Sequence, residues 1–243
     1  GEGEVPDFKG SNVRVLRSGN WRREMKNPKE IVLVAFYYKT FSFSQKDYKS
    51  LAESLRNYAK VASVDCANER EICKQEGVSR RSLKKGAVMK VYPYKGHNAP
   101  IAFSSRRKLT KISLYKFVES NIPSFVSLLD SKKAGAKFAK SPNRIKIILL
   151  SNKAKIPLML KALSKDYHNH LDFAFIPKNL PNPKKSLSEN GIDLTVKGSL
   201  PAVFIYQTSI RKNKQYRGAL RYDEMKKYLK TLVKRMKRSK DDL

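Results

Sequence analysis

The sequence predicts an α/β architecture built twice in tandem. Its length of 243 residues is long for one compact domain and comfortable for two of about 120 each. Hydrophobic residues make up 40% and aromatics 10%, enough to bury two cores. The third observation is an order of elements, strand–helix–strand–helix and then hairpin–helix, found in both halves.

The first half opens with a strand-like segment, Val13–Leu16, and a helical stretch around Trp21–Met25. The apolar run Ile31–Tyr38 reads as a buried strand and is far too short to span a membrane. Between Ser44 and Tyr58, residues Tyr48, Leu51, Ala52, Leu55 and Tyr58 recur at three and four, one face of a helix. A strand at Val61–Asp65 follows, then a short helix at Asn68–Glu76 ended by Gly77. Val88–Tyr92 and Ile101–Phe103 read as a hairpin around the turn Lys95-Gly96-His97-Asn98. A helix from Lys111 to Asn121 is stopped by Pro123.

Residues 130–143 are small, polar and basic, with Gly135 and Pro142, and read as a linker between domains at 1–129 and 144–243. Beyond it come strand Ile145–Leu150, a helix carrying Ile156, Met159, Leu160 and Leu163, and strand Leu171–Ile176. A Pro/Lys-rich loop (Pro177–Lys185) leads to a short helix near Ser186–Asn190. The hairpin is expected at Ala202–Tyr206 and around Gln215–Arg217. Met225, Tyr228, Leu229, Leu232, Val233 and Met236 then trace the clearest helix of the chain.

Charge is the loudest compositional fact, 52 Lys+Arg against 21 Asp+Glu, net +31. Such a field attracts any polyanion. The lysines interleave with the apolar periodicity almost everywhere, which reads as solvated faces rather than one binding stripe. A polyanion-binding protein, with RNA or an acidic protein as partner, is therefore the alternative reading. The final helix carries a basic run, Lys226 to Arg238, without interleaved aromatic platforms for bases. Two cysteines, Cys66 and Cys73, and three scattered histidines, His97, His168 and His170, make no four-ligand metal set. The cysteines are either bridged or two buried thiols. No metal and no cofactor are expected.

Residues Val32–Leu51 (VLVAFYYKTFSFSQKDYKSL) resemble the thioredoxin-fold domains of protein disulfide isomerases. Counted from Phe36-Tyr37, that resemblance puts the Cys-x-x-Cys motif at Phe41-Ser42-Phe43-Ser44, with both cysteines missing. Val64-Asp65-Cys66, Cys73 and Gly77-Val78 are similar to a stretch of endoplasmic-reticulum members in which the two cysteines form a structural disulfide. The family's cis-proline falls on Ala87 in the first half, after a slightly enlarged loop at Ser79–Gly86. In the second half Leu200-Pro201-Ala202 resembles the cis-proline segment, which implies a cis bond before Pro201. Ile145–Leu163 looks like the cysteine-free domains of J-proteins and isomerases, with Ser151–Ala154 in place of the redox turn. Lys240-Asp241-Asp242-Leu243 resembles the Lys-Asp-Glu-Leu retrieval signal, which a receptor reads at a free C-terminus. That tail implies the endoplasmic reticulum lumen and a natural end at Leu243. With no signal peptide in view at Gly1, an N-terminal part is expected to be missing.

Dithiol exchange needs an attacking thiolate and a resolving thiol. Phe41 and Ser44 supply neither. No Gly-x-Ser-x-Gly elbow surrounds Ser42 or Ser44, so a hydrolase is disfavoured. The chain is thus expected to be no enzyme but a redox-inactive, thioredoxin-like tandem module. Its partners would be unfolded clients or a chaperone, and the retrieval receptor. It would serve alone or as the non-catalytic part of a larger oxidoreductase or J-domain co-chaperone. An apolar patch of Phe41 and Phe43 beside Tyr38 is the candidate docking surface, unless those rings fold inward.

Overall fold

The computed structural model describes residues 3–26, 29–94 and 99–241. The chain divides into two units, 1–122 and 123–243. In the first, the apolar run becomes strand β2 (Ile31–Tyr37), buried along its whole length as a central strand covered on both faces must be. Around it lie β1 (Val13–Val15), β3 (Ala59–Asp65), β4 (Val88–Tyr92) and β5 (Ile101–Ala102). The order is β1-β3-β2-β4-β5, with β1 and β2 parallel to β3 and with β4 and β5 antiparallel. On one face Val32, Val34 and Phe36 pack with Trp21 of α1 (Ser18–Met25) and Cys73 of α3 (Arg70–Gln75). The alternate residues Leu33 and Ala35 point the other way. That side carries α2 (Gln45–Leu55) and α5 (Lys111–Asn121), which touch each other and bury Leu51, Leu55, Leu114 and Val118. The stretch expected as an enlarged loop holds a short basic helix, α4 (Arg80–Leu83), capped by Ser79. The turn 95–98, with His97, lies outside the described residues.

The second unit holds β6 (Val126–Leu128), β7 (Ile145–Leu150), β8 (Leu171–Ile176), β9 (Ala202–Gln207) and β10 (Lys212–Gln215). Their order, β10-β9-β7-β8-β6, is that of the first sheet read from its other edge, with the same parallel and antiparallel pairs. Helices α7 (Leu158–Tyr167) and α9 (Tyr222–Asp241) cover one face. Helices α6 (Lys132–Ala139) and α8 (Pro181–Glu189) cover the other.

This topology corrects the expected linker at 130–143. That segment contains α6, which with β6 is the counterpart of α1 and β1, so the second unit begins near 123 rather than at 144. An edge strand with one partner and a helix burying only Gly135 and Phe138 need few apolar residues, so composition hid them. Gly135 is required by packing: a Cβ there would lie 2.6 Å from Ser186 Oγ and 2.9 Å from the Pro183 carbonyl of α8. Likewise the expected loop 177–185 is a turn at Pro177–Asn179 followed by α8, whose first residue is a proline. The second hairpin strand sits at 212–215, slightly before the expected 215–217.

One charge is buried in the second core. Lys146 of β7 is 0% exposed, and its Nζ donates to the Ser141 carbonyl (2.8 Å), Ser141 Oγ (2.7 Å), the Asn143 carbonyl (3.1 Å) and Asp172 Oδ2 (3.0 Å). Asp172 also accepts from Ser141 Oγ, the Asn143 amide and Asn143 Nδ2. A buried ammonium persists only when so fully partnered. The network pins the chain between α6 and β7.

Candidate functional site

The first unit's candidate site lies where β2 ends and β4 begins. Lys39 turns the chain with φ 61°, its amide donating to Asp65 Oδ1 (3.0 Å) at the end of β3. Asp65 Oδ1 also accepts from the Ala67 amide (2.9 Å), so one carboxylate shapes both loops. Phe41 then pairs by backbone with the N-terminal segment, Phe41 N donating to the Glu4 carbonyl and Gly3 N to the Phe41 carbonyl, both 2.9 Å.

Neither phenylalanine of the turn forms an exposed patch. Phe41 is 0% exposed and Phe43 6%, which overturns the docking surface expected from them. Phe41 packs edge-on against Phe8 (centroids 5.4 Å apart), Tyr37 (5.5 Å) and Phe43 (6.3 Å), and tilted against Tyr48 (5.3 Å). Burying each ring is worth roughly 1.5–3 kcal/mol over leaving it wet, and the aromatic geometry adds to that. The Tyr48 hydroxyl donates to the Ala62 carbonyl at 2.6 Å, and burial raises its pKa. Burial, and then the Asp65 charge, push Tyr37 up to about 12, with Arg17 opposing.

The two serines of the turn have structural partners. Ser44 caps α2, its Oγ accepting from the Asp47 amide at 3.2 Å. Ser42 is exposed, and its Oγ accepts from the Ala87 amide at 2.7 Å. The turn and the position expected for a cis-proline therefore do meet, through a hydrogen bond instead of a proline facing a thiol. Gly86 precedes it with φ +119°, a conformation that favours glycine, and a Cβ there would stand 3.0 Å from Ser42 Oγ. Among the described residues neither serine bonds a His, Asp or Glu side chain, so no nucleophile–base pair is assembled.

Cys66 and Cys73 form a disulfide, with S–S 2.08 Å and Cα–Cα 5.7 Å. Both are buried, and the bridge ties the end of β3 to α3. In the second unit the Leu200–Pro201 bond is cis and Pro201 is exposed. The turn after β7 is held by backbone: the Ser151 carbonyl accepts from the Asn179 amide (2.8 Å) and the Lys153 carbonyl from the Lys178 amide (2.9 Å). Lys240 and Asp241 close α9, while Asp242 and Leu243 lie outside the described residues. Among the described residues no group of three or more His, Cys, Asp or Glu could hold a metal, and no helix is long and apolar enough to cross a membrane.

A feature that sequence reasoning missed is a groove of about 1080 Å³ beside Ser42 and Ala87. Its walls come from α4 and from the loop after β5, and they carry Arg81, Lys85, Arg106 and Arg107 but no carboxylate. Four of the 52 Lys and Arg residues meet here. Their positions, 81–85 and 106–107, are adjacent only once β4 and β5 pair.

No family model matches the chain. It is 33% identical over 181 residues to a thioredoxin domain-containing protein of Schizosaccharomyces pombe named as mitochondrial, covering 72% of this chain and 48% of that protein. It is 26% identical over 125 residues to the DnaJ protein ERDJ3A of Oryza sativa, covering 51% of this chain and 21% of that protein. A Dictyostelium discoideum protein whose name assigns it to the disulfide isomerases is 24% identical over 165 residues, covering 66% of this chain and 39% of its own length. The chain thus spans about half or less of each of these relatives. Among solved structures, a crystal form of ERdj5 superposes with a TM-score of 0.58 at 15% identity, over 94% of this chain and 31% of that one. Its full-length structure gives 0.55 at 14% identity, over 94% of this chain and 33% of that one. At such identity the likeness speaks for the fold, and it spans both units. With two sheets of one topology in succession, the chain is a tandem of thioredoxin-like domains, similar in sequence to thioredoxin-domain and disulfide isomerase-like proteins.

Proposed function

We propose that this chain is a redox-inactive tandem thioredoxin-like module that binds clients or a chaperone partner during protein folding in the endoplasmic reticulum lumen, and that it is no enzyme. The observation that supports it best is the first unit's turn. Where dithiol chemistry needs two sulfurs, Phe41 is consumed by the core, Ser44 caps a helix and Ser42 is tied to Ala87. The disulfide is buried outside the turn's own residues, between the end of β3 and α3. Relatives named as a DnaJ protein and an isomerase support a place in folding, within a longer protein. The name of the yeast relative points to mitochondria instead, whereas the Cys66–Cys73 disulfide supports an oxidising compartment such as the lumen. Since Phe41 and Phe43 are buried, any client must dock elsewhere on the surface.

The test pairs two measurements on the full chain. Insulin reduction with glutathione as reductant should show no turnover above background. Aggregation of a reduced, denatured polypeptide should be suppressed at stoichiometric chain. Turnover that disappears in Cys66→Ser/Cys73→Ser would make the chain an oxidoreductase after all.

A further inference from the structure

The groove between α4 and the loop after β5 points to a partner of particular chemistry. Four cations line it, Arg81, Lys85, Arg106 and Arg107, and among the described residues none of them has an ion-pair partner. They come from two segments, α4 with its C-terminal flank and the loop after β5, that line one groove, so an anionic ligand seated in it meets charge from both. Its volume of about 1080 Å³ lies just above the ~300–1,000 Å³ range of small-molecule pockets, room for a chain segment rather than a single anion.

Two further features choose among polyanions. Strand β5 is the sheet's edge: it pairs with β4 through Val91↔Ile101 and Lys90↔Ala102, and among the described residues its other side has no strand. The outer backbone groups of this short edge can be met by an added peptide strand, which a nucleic acid cannot supply. The half-buried aromatic of the groove, Phe103, has the Arg107 guanidinium 5.4 Å from its centroid and packs edge-on against Phe117, contacts that compete with stacking of bases on that ring. We infer that this groove binds an extended acidic peptide segment, its main chain alongside β5 and its carboxylates between Arg81/Lys85 and Arg106/Arg107. The inference rests on the proposed binding role and names the class of segment the first unit selects.

Fluorescence anisotropy on the full chain tests it, with a labelled ten-residue Asp/Glu-rich peptide, its Asn/Gln analogue, a single-stranded RNA ten-mer and a reduced neutral polypeptide as probes. The acidic peptide should bind well above its amide analogue and weaken as salt rises. Arg81→Ser/Arg106→Ser/Arg107→Ser should weaken it at least tenfold. Lys230→Ser/Lys234→Ser/Lys237→Ser, which removes the same charge from exposed positions of α9, should change it less than twofold. A second groove variant confined to α4 and its C-terminal flank, Arg81→Gln/Lys85→Gln, must give a loss in the same direction, which guards against misfolding of the loop after β5. Equal losses in the groove and α9 variants would overturn the inference in favour of net charge. RNA losing more than the peptide in the groove variant would overturn it in favour of nucleic acid. An acidic peptide that does not bind while the neutral polypeptide does would sink the inference and leave the proposed function standing; if neither binds, both fall.

Discussion

The turns after β2 and β7 leave equivalent strands of two sheets with the same order, and they are secured by different means. In the first unit aromatic packing and a long-range side-chain bond add to backbone pairing with Gly3 and Glu4: Phe41 is sunk among Phe8, Tyr37 and Tyr48, and Ser42 reaches across to Ala87. In the second, the carbonyls of Ser151 and Lys153 accept from the amides of Asn179 and Lys178, and Ser151 Oγ accepts from the Lys153 amide. The cis bond at Pro201 is present in the second unit, and the first has Ala87 in that position. Each unit also has its own staple at a different place, a disulfide at the end of β3 in one and a saturated Lys146–Asp172 network near the start of β7 in the other. The fold tolerates either solution because the sheet and its helices carry the core, and the turn needs only to satisfy its own polar groups and bury its own apolar ones.

Trp21 is the sole tryptophan of the chain and packs in the first unit's core, so its fluorescence reports that unit alone, whereas far-UV circular dichroism reports both. Phe41→Ala should have the largest effect, about 3–5 kcal/mol lost from the first unit through the cavity it leaves. The tryptophan transition should move to lower denaturant while the second unit's transition stays. A near-unchanged transition would show that the turn is not part of that core. Lys146→Ala is the mirror experiment. It strips Asp172 of its buried partner and should cost about 3 kcal/mol in the second unit, with the tryptophan transition unmoved. Next comes the bridge: Cys66→Ser/Cys73→Ser should cost the first unit about 2.5 kcal/mol by the loop-closure model. Equal shifts in both units would refute their independence.

The smallest effect sharpens the comparison by pH. Tyr37 is pushed up to about 12, so above pH 10 the unfolded chain releases that proton while the folded first unit retains it. The stability this shift represents is intact below pH 10 and is lost progressively between pH 10 and 12. Raising pH from 9 to 11.5 should shift the tryptophan transition downward, and Tyr37→Phe should lessen that shift. A shift undiminished in that variant would place the alkaline sensitivity elsewhere.

Much of the fold was legible because long apolar periodicities survive in one dimension. The run Ile31–Tyr37, the α2 face Tyr48–Leu51–Leu55 and the α9 stripe Met225–Leu229–Leu232 are local patterns imposed by burial. Segments whose burial is slight left no such pattern. Strand β6 buries little and leaves no pattern at the end of the expected first domain, and α6 uses a glycine where α8 comes close, so the helix reads as a linker. The site was legible in part for the same reason. That a turn follows Tyr37 was readable, since the apolar run ends there and the periodicity of α2 begins soon after. The inward direction of Phe41 did not show, because it depends on Phe8, a residue from a segment with no periodicity of its own.

Taken alone, the sequence determined through composition and periodicity that there are two α/β units, and its resemblance to disulfide isomerases implied a redox-turn position, Phe41–Ser44, that holds no thiols. Only the tertiary structure decided which side of the sheet Phe41 and Phe43 occupy, that Ser42 meets Ala87, that 130–143 belongs to the second unit, and that Arg81, Lys85, Arg106 and Arg107 share one groove. Each of these is a contact between residues far apart in the chain. Such contacts arise from strand pairing and from the burial it brings, which no local window of the sequence contains.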